Sequence, residues 1–98
     1  MTDSNLQFLS TLEEVIEERR SSVSDESYTS QLFTAGTKRI AQKVGEEAVE
    51  VALAANSNDR DETRNEAADL IYHLLVLLAD QNISLSDVVS TLQDRHRP

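Results

Sequence analysis

The chain has no cysteine and no tryptophan, only two glycines, and a single proline, its last residue. Without cysteine there is no disulfide framework, no thiolate nucleophile and no sulfur-ligated zinc site. With glycine and proline almost absent, little interrupts helices, and the expected fold is all-α. Basic residues are also scarce: nine stand against 18 acidic ones, for a formal net charge of −9. That argues against a direct grip on a nucleic-acid backbone, which needs a basic stripe. An acidic protein can still hold a polyphosphate where a metal ion bridges the two negative partners. No uncharged run approaches the roughly 20 residues needed to span a bilayer. Met1 to Asn5 lack the basic start and apolar core of a signal peptide. The expectation is a soluble, cytoplasmic protein with neither a nucleic-acid nor a membrane partner. At 98 residues it reads as one domain over 1–98, small for burying a large core alone.

What the chain does have is helical periodicity. Leu6, Leu9, Leu12 and Ile16 recur at helical spacing after Ser4 or Asn5, either of which can cap a helix. Glu13, Glu14, Glu17 and Glu18 fill the other side, and Arg19 and Arg20 suit the C-terminal end of the dipole. Residues 21–27 form a polar, Ser-rich linker. Ser27 then caps a short helix over 28–35, and Gly36 marks a break or a tight approach. A long helix follows over 37–55, with a broad face of Ile40, Val44, Val51 and Ala55 plus Ala41, Ala48 and Ala52. Its polar residues Arg39, Lys43, Glu46, Glu47 and Glu50 fall within an arc of about 100°.

After the turn at 56–59 a second long helix spans 60–79. Leu70, Ile71 and the run from Leu74 to Leu78 make it apolar nearly all round, which predicts burial. Yet Glu62, Glu66, Asp69, His73 and Asp80 share an arc of about 60° on it. Ser84 caps a last helix through Leu92, where Ser84 and Asp87 resemble a capping box with Asp in place of Glu. The basic tail from Arg95 to Pro98 reads as frayed. The expected architecture is a bundle of about four to five helices, with 37–55 and 60–79 antiparallel across a short loop.

Glu47 with Glu50, and Glu66 with Asp69, are carboxylate pairs at i, i+3, so each pair shares a helix face. One such pair alone is usually a solvated face, and Lys43 with Glu47 is an ordinary i, i+4 pair. The second pair changes the weighing, because its helix is too apolar for the surface. Four converging carboxylates repel one another unless a cation neutralises them. An all-oxygen set suits Mg²⁺, with Mn²⁺ as a substitute, and fits zinc or copper poorly. The Glu-x-x-His pairs of a di-iron bundle are missing. The matching chemistry is metal-assisted attack of water on a phosphoryl group. Lys43 and Arg39 are candidates for phosphate oxygens, with Lys38 and Arg64 weaker ones, and Glu46 for orienting or deprotonating the water. His73 reads as a satisfied bundle histidine rather than a ligand, and Tyr28 and Thr29 receive no derived role.

The segment from Tyr28 to Leu32, Gly36, the block from Lys43 to Ala55, and the block from Glu66 to His73 together resemble the phosphoribosyl-ATP pyrophosphatases. These belong to a wider all-α nucleoside triphosphate pyrophosphohydrolase group that includes MazG and the dimeric dUTPases. The resemblance spans the chain from the first helix to Leu92. It implies hydrolysis of phosphoribosyl-ATP to phosphoribosyl-AMP and pyrophosphate with Mg²⁺, the second step of histidine biosynthesis. It places the metal on Glu47, Glu50, Glu66 and Asp69 and matches the family's neighbouring Lys and Glu to Lys43 and Glu46. With the reading of the residues above, the expected catalytic residues are Glu46 and Glu47 and the expected substrate contacts Lys43 and Arg39. It also implies a tight homodimer that completes the bundle, and a separate cyclohydrolase for the next step. The rival readings are a house-cleaning pyrophosphohydrolase acting on dUTP or another nucleotide, and a non-catalytic helical dimerisation module.

Overall fold

The computed structural model describes residues 4–22 and 27–98, and every element among them is helical. The order is α1 (Ser4–Ser21), α2 (Tyr28–Ala35), α3 (Thr37–Asn56), α4 (Arg60–Asp80) and α5 (Leu85–Arg95). The all-α bundle expected from composition is what the chain forms. Most of the linker over 21–27 lies outside the described residues. No described helix is long and apolar enough to cross a membrane.

Local chemistry sets the boundaries. The Ser27 side chain accepts from the Ser30 amide to start α2, Asp59 does the same from Glu62 for α4, and Ser84 from Asp87 for α5. The Ser84–Asp87 box is complete, since the Asp87 carboxylate in turn accepts from the Ser84 amide at 3.1 Å. Gly36 both ends α2 and begins α3, at φ 99°. No heavy atom outside its immediate surroundings lies within 4 Å of where a Cβ would sit. The glycine is therefore needed for its backbone angle and not for space. Asn58 and Asn82 take the left-handed conformation, each at φ 59°. After α3, the amides of Asn58 and Asp59 return to the carbonyls of Ala55 and Ala54; after α4, those of Asn82 and Ile83 return to Ala79 and Leu78. Both helices thus end in the same paired motif, with asparagine in the place usually taken by glycine. The helix α5 ends at Arg95, and beyond it the exposed His96 ring meets the Leu92 carbonyl at 2.8 Å while Arg97 pairs with Asp94 at 3.0 Å.

α3 and α4 form an antiparallel hairpin. Thr37 donates to Asp80 at 2.6 Å at its open end, while the α3–α4 turn closes the other. The core lies towards the open end, where Ile16 of α1, Leu32 of α2 and Ile40 of α3 meet Leu75, Val76 and Ala79 of α4. Arg20 ties α1 to the end of α4 by donating to the Ala79 carbonyl at 2.7 Å. Glu13 ties it to α5 by accepting from the Leu85 amide at 2.7 Å.

Two expectations about faces are corrected. On α3 the inward line is Ile40, Val44, Glu47, Val51 and Ala54, whereas Ala41, Ala48, Ala52 and Ala55 are exposed. The alanines lie about 100–160° round the helix from Ala54. Seating Ile40 in the core turns them outward and brings Glu47 in. On α4, Leu75, Val76 and Ala79 are buried, but Ile71 and Leu74 remain 44% and 39% exposed. α1 and α2 cover one side of α4 only, so part of its apolar surface stays exposed.

Ile40 and Val76 are completely buried. Ile40→Ala should destabilise the chain by about 2–5 kcal/mol through lost transfer energy and a cavity. Asp59→Ala should cost about 1 kcal/mol through the lost cap. Urea unfolding followed by circular dichroism separates the two.

Candidate metal centre

The middle of the hairpin carries the acidic residues. Glu47 projects from the inward line of α3, and Glu66 and Asp69 come from successive turns of α4. One carboxylate oxygen of each lies within 4.8 Å of the other two. Glu47 is buried, Glu66 half-buried and Asp69 exposed, so the group opens from the helix contact towards solvent. A set of three oxygens at this spacing, all acidic, suits a hard divalent cation. Glu50, the fourth candidate, lies outside this group of three, but its charge is felt at Glu66.

The cations and donors around the group are few. Lys43 Nζ stands 3.5 Å from Glu47 Oε1 and 4.0 Å from Glu46 Oε1. Glu46 is half-exposed beside the group and accepts from Gln42 Nε2 at 3.2 Å. Arg39 is exposed one turn before Lys43, and Lys38 is exposed next to it. Arg64 pairs with exposed Asp61 at 3.2 Å, roughly 200° round α4 from Glu66, so it does not join the group. His73 Nδ1 lies 3.5 Å from Glu47 Oε1. The ring is also bonded to the Asp69 carbonyl and the Tyr28 hydroxyl, as a satisfied bundle histidine should be.

Glu66 reports the strain of gathering these charges. Its carboxyl is pushed up from 4.5 to about 7, chiefly by a hydrogen bond with the Glu62 side chain. Burial adds to this, followed by the charges of Glu50, Glu62 and Asp69. Carboxyls gathered this closely raise the cost of ionising Glu66. Glu62 was legible only as part of the polar arc on 60–79. Its bond to Glu66 depends on side-chain conformation, which spacing alone does not settle. Tyr28 and Thr29 are the residues the sequence left without a role, and here they meet His73 and Tyr72.

The shift has a sign. Between pH 4.5 and about 7 the folded chain holds a proton on Glu66 that the unfolded chain has released. Glu66 therefore contributes stability below pH 4.5 that is lost as pH rises through about 7. In chelator-treated protein, urea midpoints should fall across that window, and Glu66→Gln should flatten the fall. A saturating divalent cation should remove it, because the cation favours the ionised form.

A family model described as phosphoribosyl-ATP pyrophosphohydrolase matches residues 9–96. Histidine biosynthesis bifunctional protein HisIE of Campylobacter jejuni is 59% identical over 90 residues, 92% of this chain and 44% of its own length. The protein of that name from Buchnera aphidicola is 54% identical over 95 residues, 97% of this chain and 46% of its own. That from Salmonella typhimurium is 57% identical over 90 residues, 92% of this chain and 44% of its own. The chain thus spans a little under half the length of these relatives. With nearly the whole chain matched, and an acidic group set into an all-α hairpin, the chain belongs to the phosphoribosyl-ATP pyrophosphohydrolase family.

Proposed function

We propose that the chain hydrolyses phosphoribosyl-ATP to phosphoribosyl-AMP and pyrophosphate with Mg²⁺, the second step of histidine biosynthesis, in the cytoplasm. The observation that carries this reading is the convergence of Glu47, Glu66 and Asp69 within 4.8 Å, in a chain of that family. Glu47, Glu50, Glu66 and Asp69 are the residues that would hold the ion, and Mn²⁺ would substitute. When bound, the ion orients the phosphates, offsets their charge and makes water a better nucleophile.

The remaining work falls to side chains. Lys43 already stands beside Glu47 and offers its ammonium to a phosphate oxygen; Arg39, free of ion pairs among the described residues, does so one turn earlier. Glu46 and Glu47 are the catalytic carboxylates. Glu46, half-exposed and steadied by Gln42, is placed to orient the attacking water and accept its proton as the α–β anhydride bond breaks. Pyrophosphate leaves, and phosphoribosyl-AMP is the substrate expected for a cyclohydrolase acting next.

The same reading includes a homodimer. Val49 and Leu53 of α3 and Ile71 and Leu74 of α4 are exposed, alongside the outward alanines. The radius of gyration of 14.8 Å exceeds the roughly 13 Å of a compact 100-residue domain. A second copy of the hairpin would cover this surface and complete a four-helix bundle.

Pyrophosphate release is measured with Mg²⁺ and phosphoribosyl-ATP, dUTP or dATP in turn. Release from phosphoribosyl-ATP alone is expected; release only from free nucleotides would move the reading to a house-cleaning enzyme. Glu50→Gln should abolish turnover while leaving the helical dichroism intact, since a ligand is lost at constant volume. In sedimentation, the wild-type chain should have a dimer mass and Ile71→Asp a monomer mass. A folded wild-type monomer would rule the dimer out.

A further inference from the structure

His73 is 6% exposed on α4 and is held on every side. Its Nδ1 lies 2.8 Å from the Asp69 carbonyl oxygen. A carbonyl only accepts, so in the neutral ring the proton sits on Nδ1. Nε2 is then the acceptor, and the Tyr28 hydroxyl donates to it at 2.7 Å. The rings of Tyr28 and Tyr72 stand at 86° and 90° to the imidazole, with centroids 5.8 and 5.3 Å away. The Tyr72 hydroxyl is in turn hydrogen-bonded to Thr29. Tyr28 and Thr29 are neighbours at the start of α2, so one short helix fixes the ring from two directions.

The other side of the ring meets the acidic group. Nδ1 stands 3.5 Å from Glu47 Oε1 as well as against the Asp69 backbone. Both residues belong to the cluster of three carboxylates, one from each arm of the hairpin. The bond to the Asp69 carbonyl is the same i−4 helix contact that exposed His96 makes with Leu92, so what sets His73 apart is its approach to the buried Glu47 carboxylate. Groups that orient metal ligands without touching the metal govern affinity by fixing ligand conformation in advance.

We propose that His73, locked by Tyr28, is a positioning residue for the acidic cluster: its Nδ1 edge, 3.5 Å from Glu47 Oε1, holds the Glu47 carboxylate in place for a divalent cation. It is not itself a ligand. The inference rests on the metal-dependent reading above and adds to it the means by which α2 sets ligand geometry.

Two isosteres separate the ring nitrogens. In His73→Asn the side-chain amide stands where Nδ1–H was, and in His73→Gln where Nε2 was. Mn²⁺ binding, without substrate, is followed by electron paramagnetic resonance and calorimetry, with dichroism as the check of fold. His73→Gln should weaken Mn²⁺ binding by about 10–100-fold, the range for lost outer partners of a metal site. His73→Asn, which keeps a donor on the Nδ1 side but loses the Tyr28 bond, should lie together with Tyr28→Phe between wild type and His73→Gln. Equal Mn²⁺ affinity in wild type and His73→Gln would overturn the inference and leave the metal-dependent reading standing. So would a His73→Asn variant as weak as His73→Gln. If His73→Gln does not fold, Tyr28→Phe decides: unchanged affinity there overturns the inference. A wild-type protein that binds no Mn²⁺ would overturn the metal-dependent reading, and this inference with it.

Discussion

Glu47 is a carboxylate buried at the contact between the two longest helices, and the rest of the arrangement answers to it. Burying a charge is costly unless partners surround it. Here Lys43 comes from the previous turn of α3 and His73 from α4, each 3.5 Å from the same oxygen. The inward line of α3 passes through Glu47, which turns the alanine-rich side of the helix outward. α2 is drawn in as well, since Tyr28 and Thr29 close over His73 and Tyr72. Burial pushes the Tyr72 hydroxyl up, which keeps it a proton donor or acceptor within this small polar network.

Stability and chemistry are assigned to different parts of the hairpin. Towards the open end, Ile16, Leu32, Ile40, Leu75, Val76 and Ala79 form the dry core. Further along, carboxylates are held close together, and their mutual repulsion pushes the Glu66 carboxyl up. On the metal-dependent reading proposed above, a bound cation would offset this repulsion. The core bears the anchoring so that the acidic group can remain poised. The apolar excess on the outer faces of α3 and α4 makes a second subunit the natural completion of the bundle, on the reading proposed above.

Much of this was legible in the residues. Near-absence of glycine and proline, with periodic leucines and well-placed caps, is enough to specify five helices, because helix formation and capping depend on groups within a few residues of one another. The Ser84–Asp87 box and the Ser27 and Asp59 caps are local in this sense. The carboxylate pairs were visible for the same reason: residues at i, i+3 share a face whatever the fold. Of the four carboxylates that the spacing proposed, Glu47, Glu66 and Asp69 come within 4.8 Å of one another and Glu50 lies outside the group.

Spacing does not say how far a helix is rotated about its own axis against its neighbour. That rotation is chosen by the sum of packing contacts, and it decided that Glu47 is buried while Ala41, Ala48, Ala52 and Ala55 face outward. Nor does it reveal pairings between residues 43 or 45 positions apart, such as Thr29 with Tyr72 and Tyr28 with His73, or the upward push on the Glu66 carboxyl. The amino-acid sequence alone determined the helices, their ends and the candidate ligands, since each depends on short-range geometry. Tertiary structure alone decided which face of α3 turns inward, what α2 holds in place, and how strongly the gathered charges act on one another, since each depends on distances set by packing.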